Sequence, residues 1–154
     1  MKIAFAIVLT VFSIPSHAQS TDKAEIFSSA QLQGQLAQLA QQARTNGSSG
    51  STLGDYGTHA LKLSERTTSG GAEIHAHFDD VMLVMGGKAT LVTGGTVIDA
   101  HPGSNGETTG SGIRNGIAQP IAAGDVVHIP AGTPHQLIVA PGTTYSALVI
   151  KVKE

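Results

Sequence analysis

From Tyr56 onward the sequence breaks into short apolar runs separated by glycine and proline, and this pattern limits the fold more than any other feature. Segments such as THALKLS and AEIHAH alternate apolar with polar residues, the period-two signature of strands. VMLVM, the pair Gly86-Gly87 and KATLVTG read as a hairpin with a tight turn, while TVIDA, DVVHIP, HQLIV and TYSALVIKV supply further strands. Many short strands after a single helix predict an antiparallel sandwich or barrel. Residues 101–116 are Gly-rich, polar and too long for a simple turn, and stretches of this kind are often functional or mobile. The glycines at 110, 112 and 116 miss the dinucleotide-binding spacing and no Gly-Lys-Ser/Thr follows, so phosphate-loop chemistry is excluded.

The 154 residues predict one domain. Residues 1–18 have the layout of a secretory signal: Lys2, the apolar run IAFAIVLTVFSI, Pro15 and the small-residue ending SHA, with cleavage expected after Ala18. The run is short for a membrane span. A periplasmic or secreted protein beginning at Gln19 is expected. Residues 22–44 read as one helix, with Leu32, Leu36, Leu39 and Ala43 at helical spacing and Asp22 with Glu25 as a capping box. Gly34 weakens it locally. Its narrow apolar stripe predicts that it lies on its own domain or on a neighbouring subunit, so a homodimer is one expected partnership. TNGSSGSTLG, residues 45–54, reads as a flexible linker. The expected organisation is therefore a signal over 1–18, helix and linker over 19–54, and a β domain over 55–154.

Nine basic against eleven acidic residues give a net charge of −2, which becomes −3 once Lys2 is removed. Nothing in that balance attracts nucleic acid or an anionic membrane surface. There is no cysteine, so neither disulfides nor thiol chemistry contribute. With only 4% aromatic residues, the core must come from Val, Ile, Leu, Ala and Met, and Met82, Leu83, Val84 and Met85 are expected to line it.

HAHFDD, residues 75–80, is the polar exception inside apolar flanks. On one strand Glu73, His75 and His77 share a face, with alternate side-chain roots roughly 6.5–7 Å apart, a spacing at which two imidazoles can converge on one ion. A second segment, GDVVHIPAGTPHQLIV at residues 124–139, carries Gly124, Pro130, Gly132 and His135 at the spacing G-x5-P-x-G-x2-H. It resembles the second motif of the cupin superfamily, whose closing Asn is replaced here by Val139. The first cupin motif, G-x5-H-x-H-x3,4-E-x6-G, is matched by His75, His77, Asp80 and Gly87, with Asp for Glu and the acid one residue early; the leading Gly70 is also one residue close. The resemblance runs over residues 56–152, to a small single-domain cupin.

It implies an all-β, jelly-roll-like double-stranded β-helix barrel with an N-terminal helix, holding one divalent metal ion (Fe, Mn, Ni, Co or Zn). The implied metal ligands are His75, His77 and His135, with Asp80 or its neighbour Asp79 in the acid's place. Three imidazoles and a carboxylate leave coordination positions for water, dioxygen or a chelating substrate. Glu73, on the same strand face, is the candidate catalytic base or an outer partner of a ligand. Tyr56 and Arg114 are candidates for contacting an anionic substrate, Glu107 approaches the metal if the Gly-rich stretch folds over the mouth, and His59 faces either cavity or solvent. His128 reads as an ordinary strand residue and His101 as a loop residue. The expected function is a metal-dependent enzyme of the dioxygenase, isomerase, decarboxylase or lyase type acting on a small oxygenated organic molecule. The alternatives are a non-catalytic small-ligand or metal sensor, and a metal-free barrel with hydrogen-bonded histidines.

Overall fold

A computed structural model describes residues 23–154; the expected export signal, and Asp22 of the expected capping box, lie outside the described residues. The helix, α1 (Ser29–Asn46), starts later than expected. Its N-cap is Ser28, whose Oγ accepts from the Gln31 backbone N–H at 3.2 Å, so the capping pair is Ser28 with Gln31. It ends where Gly47 takes a left-handed φ of +81° and its N–H reaches the Ala43 carbonyl at 2.7 Å.

Twelve strands follow: β1 (Ser48–Asp55), β2 (His59–Arg66), β3 (Ala72–His75), β4 (Phe78–Thr93), β5 (Thr96–Ile98), β6 (His101–Pro102), β7 (Glu107–Gly110), β8 (Gly112–Arg114), β9 (Ile117–Ala122), β10 (Val126–Ile129), β11 (His135–Ile138) and β12 (Tyr145–Lys153). The expected linker is β1. Its Ser- and Gly-rich sequence has little strand propensity of its own, but it pairs with β2 from Ser48↔Arg66 to Asp55↔Ala60. The chain is turned into that pairing at Gly47, whose carbonyl accepts from the N–H groups of Thr67 and Thr68. α1 packs on β1 and β2 through the buried Leu39 and Ala43.

The expected double-sheet barrel is present, and β4 is the strand that joins its two sheets. The first half of β4 pairs with β10 and with β12, and β12 continues to β2 and β1. The second half pairs with β9 and β11, which continues to β3, β7 and β6. Gly86-Gly87 is therefore not the turn of a hairpin. The chain runs straight through it, with a register shift against β12 between Ser146 and Ala147. The extra residue reverses side-chain parity: Asp80, Met82 and Val84 are buried before it, Ala89 and Leu91 after it. These apolar residues meet Ile121, Ile129, Tyr145 and Ala147 in the core between the sheets. Leu83, expected to line the core, falls on the outer parity and is 40% exposed.

Gly87 is required at the crossing. It holds φ +70°, and a Cβ there would lie 1.9 Å from the Thr144 carbonyl oxygen. Gly94 has the same φ of +70° with open space around it. Gly87→Ala is expected to destabilise the fold by more than the order of 1–3 kcal/mol that a forced left-handed backbone costs, and by more than Gly94→Ala. Denaturant unfolding of the two variants measures the difference.

Candidate metal centre

Three cross-strand pairs build the polar cluster. On antiparallel strands, directly opposed residues project to the same face with their Cβ atoms about 4.5–5.5 Å apart. Glu73 on β3 opposes His135 on β11, His75 opposes Glu107 on β7, and Asp80 on β4 opposes Lys151 on β12. Register alone thus brings six chemistry-bearing side chains from five strands to one end of the barrel. His75, Asp80 and His135 are buried, and the Glu73 side chain is 41% exposed.

The geometry is that of donor atoms around a shared point. His75 Nε2 lies 3.5 Å from Asp80 Oδ2 and 3.6 Å from Glu73 Oε2. His135 Nε2 lies 3.8 and 3.9 Å from the same two oxygens. These separations exceed hydrogen-bond length. Ligands bonded at about 2.1 Å and subtending roughly 90–120° at one ion stand roughly 3.0–3.6 Å apart, close to what is seen. Donor atoms of Glu73, His75 and His135 all fall within 4.8 Å of one another, and two imidazoles with carboxylates suit Fe, Mn, Ni, Co or Zn.

His75, His135 and Asp80 are each held by a partner behind them. His135 Nδ1 faces the Thr133 carbonyl at 2.9 Å, and since a carbonyl only accepts, Nδ1 carries the proton and Nε2 presents its lone pair. Burial lowers the His135 pKa, which keeps the ring neutral. His75 Nδ1 contacts the Glu107 carboxylate, an arrangement that orients a ligating imidazole and raises its basicity. Burial opposes a charge on His75, but Asp80, Glu73 and Glu107 together push its pKa up to about 10. The cluster thus attracts positive charge, which a proton on His75 or a cation among the donors can supply. The Asp80 carboxyl is held below its usual range against the cost of burial by His75 and by Lys151, whose Nζ sits 2.7 Å from Oδ1. Glu73 is also lowered, first by His75 and more weakly by the field of Arg66.

His77 does not join the cluster. β3 ends at His75, and Ala76 and His77 form an exposed turn into β4. The His77 ring packs beside Gly106, where an added Cβ would come within 2.9 Å of it. The alternation expected to carry His77 onto the shared face stops one residue too soon. Glu73 stands with His75 and His135 in the group of side chains that could hold an ion, a place beyond the base or outer partner expected of it. With Glu73 and His75 as the strand pair, four residues separate His75 from Asp80 and six separate Asp80 from Gly87, so the acid is no longer early.

The other candidates are also located. Asp79 points outward: Oδ1 accepts from Ala131 N–H at 2.7 Å and Oδ2 meets Nε2 of the exposed His128 at 2.9 Å, pinning the turn that precedes His135. Tyr56 stacks on His59 with ring centroids 4.9 Å apart and bonds Glu25, and Arg114 is exposed at the end of β8; none of these lines the cavity beside the cluster. His101 lies exposed on β6. The stretch 101–116 is largely ordered into β6, β7 and β8, and it reaches the site through Glu107. Lys151 was not legible as a site residue, because its role depends on its register with Asp80 some seventy positions earlier.

No family model and no curated protein matches the sequence. Solved structures do. A double-stranded β-helix domain protein from Klebsiella pneumoniae matches over 85% of this chain and 91% of its own, at 14% identity and a TM-score of 0.58. A predicted oxalate decarboxylase from Thermotoga maritima matches over 70% and 81%, at 15% identity and 0.52. The polyketide cyclase RemF from Streptomyces resistomycificus matches over 70% of this chain, at 20% identity and 0.50, and this chain spans 66% of the cyclase. Cupin-2 domains from Rhodospirillum rubrum and Salinispora arenicola match over the same share of the chain. The likeness is one of fold: the chain has the cupin fold.

The Asp79 pin generates a pH prediction. His128 first, then the Ala131 N–H, hold the Asp79 carboxyl below its usual value. A carboxyl lowered in the folded state contributes stability that is fully present above the ordinary carboxylate range of about 4 and is lost as pH falls through the folded value. Asp79→Asn is therefore expected to lower Tm near neutrality, and the gap from the natural protein should close on acidification below about pH 4. Thermal unfolding across pH checks this, and a gap independent of pH would contradict it.

Proposed function

We propose that this cupin-fold chain binds one divalent metal ion through Glu73, His75 and His135, with Asp80 in reach, and uses it on a small oxygenated organic molecule. The observation that carries this reading is the meeting of Glu73, His75 and His135, whose donor atoms lie within 4.8 Å of one another, with an Asp80 oxygen 3.5 and 3.8 Å from the two imidazole nitrogens. A bound divalent ion would supply Lewis-acid polarisation of a ligand oxygen or a position for dioxygen. The chain's own residues do the rest. Glu107 and the Thr133 carbonyl fix the two rings, and Lys151 holds Asp80 by one oxygen so that the other faces the imidazoles.

Beside the donors is a cavity of about 250 Å³ whose walls include Met82, Leu137 and Val149. That is smaller than the roughly 300–1,000 Å³ of drug-sized sites, so the reading favours a small molecule with part of its surface on apolar side chains. The cyclase and the predicted decarboxylase among the structural matches support an enzyme on this fold, without assigning its reaction. Export guided by residues 1–18 belongs to the same proposal, and would place the activity in the periplasm or outside the cell.

Purified protein is expected to take up one ion per chain. His75→Ala or His135→Ala should weaken binding at least about 100-fold and Glu107→Gln about 10-fold, ligand loss exceeding the loss of an outer partner, while His77→Ala should leave affinity unchanged. Titration calorimetry and element analysis read these. Turnover is then sought by mass spectrometry and dioxygen uptake against small hydroxy acids, diketones and sugars. Consumption that tracks metal content supports the enzyme, tight binding without consumption supports a sensor, and no metal uptake overturns both.

A further inference from the structure

The inner face of β2 carries Lys62, Ser64 and Arg66 into the same cavity as the donor cluster. Arg66 opposes the buried Tyr145 on β12, and is half-buried. Asp80 is bonded by Lys151 and Glu107 by His75, while Glu73 feels the field of Arg66 without a contact of ion-pair length. Among the described residues Arg66 and Lys62 have no ion pair and no side-chain hydrogen bond. A guanidinium cannot shed its proton, and partial burial without a partner costs free energy.

The surroundings hold that group at the cavity wall. A Cβ on Gly70 would lie 2.8 Å from Arg66 Nη1 and 3.2 Å from Cζ, so the missing side chain makes the space the guanidinium occupies. Gly70 is itself fixed, its N–H donating to the Leu137 carbonyl at 3.0 Å and its carbonyl accepting from Gln136 Nε2 at 2.9 Å. Arg66 is thus a cation packed over Gly70, with no ion pair or side-chain hydrogen bond among the described residues, lining the space that also holds Glu73, His75 and His135.

We infer that this cavity takes a small carboxylate, whose anionic end docks on the Arg66 guanidinium while its body lies along Leu137 and Val149 toward the donor cluster. The orientation toward the cluster rests on the metal reading above; the docking on Arg66 does not. A single planar fork matches a carboxylate through two parallel N–H···O bonds. A phosphate also fits a guanidinium fork, but its further oxygens and second charge call for more donors, and the cavity lining includes no helix N-terminus to add to Arg66. Lys62, exposed at the mouth, adds attraction for an anion arriving from solvent.

The test is calorimetric titration of metal-loaded protein with lactate, pyruvate and oxalate, each compared with its neutral amide, and with inorganic phosphate. At least one acid is expected to bind, at least about 10-fold more tightly than its amide and than phosphate, and Arg66→Gln is expected to weaken it about 10- to 100-fold. Arg66→Lys, which keeps the charge and the fold but loses the fork, should fall between. Metal affinity should be the same in all three proteins. Equal binding of acid and amide, tighter binding of phosphate, an Arg66→Gln variant that binds as the natural protein does, or no binding by any acid would each overturn the inference. If the natural protein takes up no metal, the metal reading fails, and the same acid-against-amide titration on the metal-free protein still decides the role of Arg66.

Discussion

Strand register along β4 underlies the rest of this structure. β4 belongs to both sheets, and the bulge at its middle reverses which side chains face inward, so that Asp80, Met82 and Val84 point in before it and Ala89 and Leu91 after it. Without that reversal one half of the strand would turn its apolar side chains to solvent. The same register sets Asp80 opposite Lys151, and the pairing of the second half with β11 brings His135 level with β3. The core and the polar cluster are therefore two results of one pairing pattern, and Gly87 makes it sterically possible.

The chemistry follows from how the cluster settles its charge. Three carboxylates surround His75 while burial acts against charging it, and the carboxylates prevail. His135, with a carbonyl behind it, remains neutral. A site with one neutral ring and a strong demand for positive charge is compatible with either a proton on His75 or a cation among the donors. Lys151 moderates that demand by taking one oxygen of Asp80. Arg66 and Lys62, which have no ion pair among the described residues, line the same space, so the two ends of the cavity differ in what they attract.

Much of this was legible in the sequence. The spacing of Gly124, Pro130, Gly132 and His135 identified the turn that delivers His135, the Gly-punctuated alternation narrowed the fold to a sandwich or barrel, and the resemblance to cupins pointed to the barrel. His75 and Asp80 were legible from their polarity inside apolar flanks. What could not be read depends on partners distant in sequence. Residues 48–55 have no strand propensity to speak of and become β1 because β2 and α1 are beside them. Gly86-Gly87 has the composition of a turn yet lies inside one continuous strand, beside a register shift. His77 has the right residue type and parity, but β3 stops before reaching it, and Glu73, two residues on the other side of His75, takes the place expected for a histidine. Lys151 and Arg66 carry no local signal at all, since each matters only through what the register sets opposite or beside it.

The central claim is that two imidazoles, those of His75 and His135, coordinate the ion and that a third does not. Pulsed electron paramagnetic resonance of the copper(II)-loaded protein counts bound imidazoles directly, through the remote ring nitrogen of each. The account predicts two, with an unchanged pattern in the His77→Ala variant. Three imidazoles in the natural protein, or the loss of one when residue 77 is changed, would contradict it.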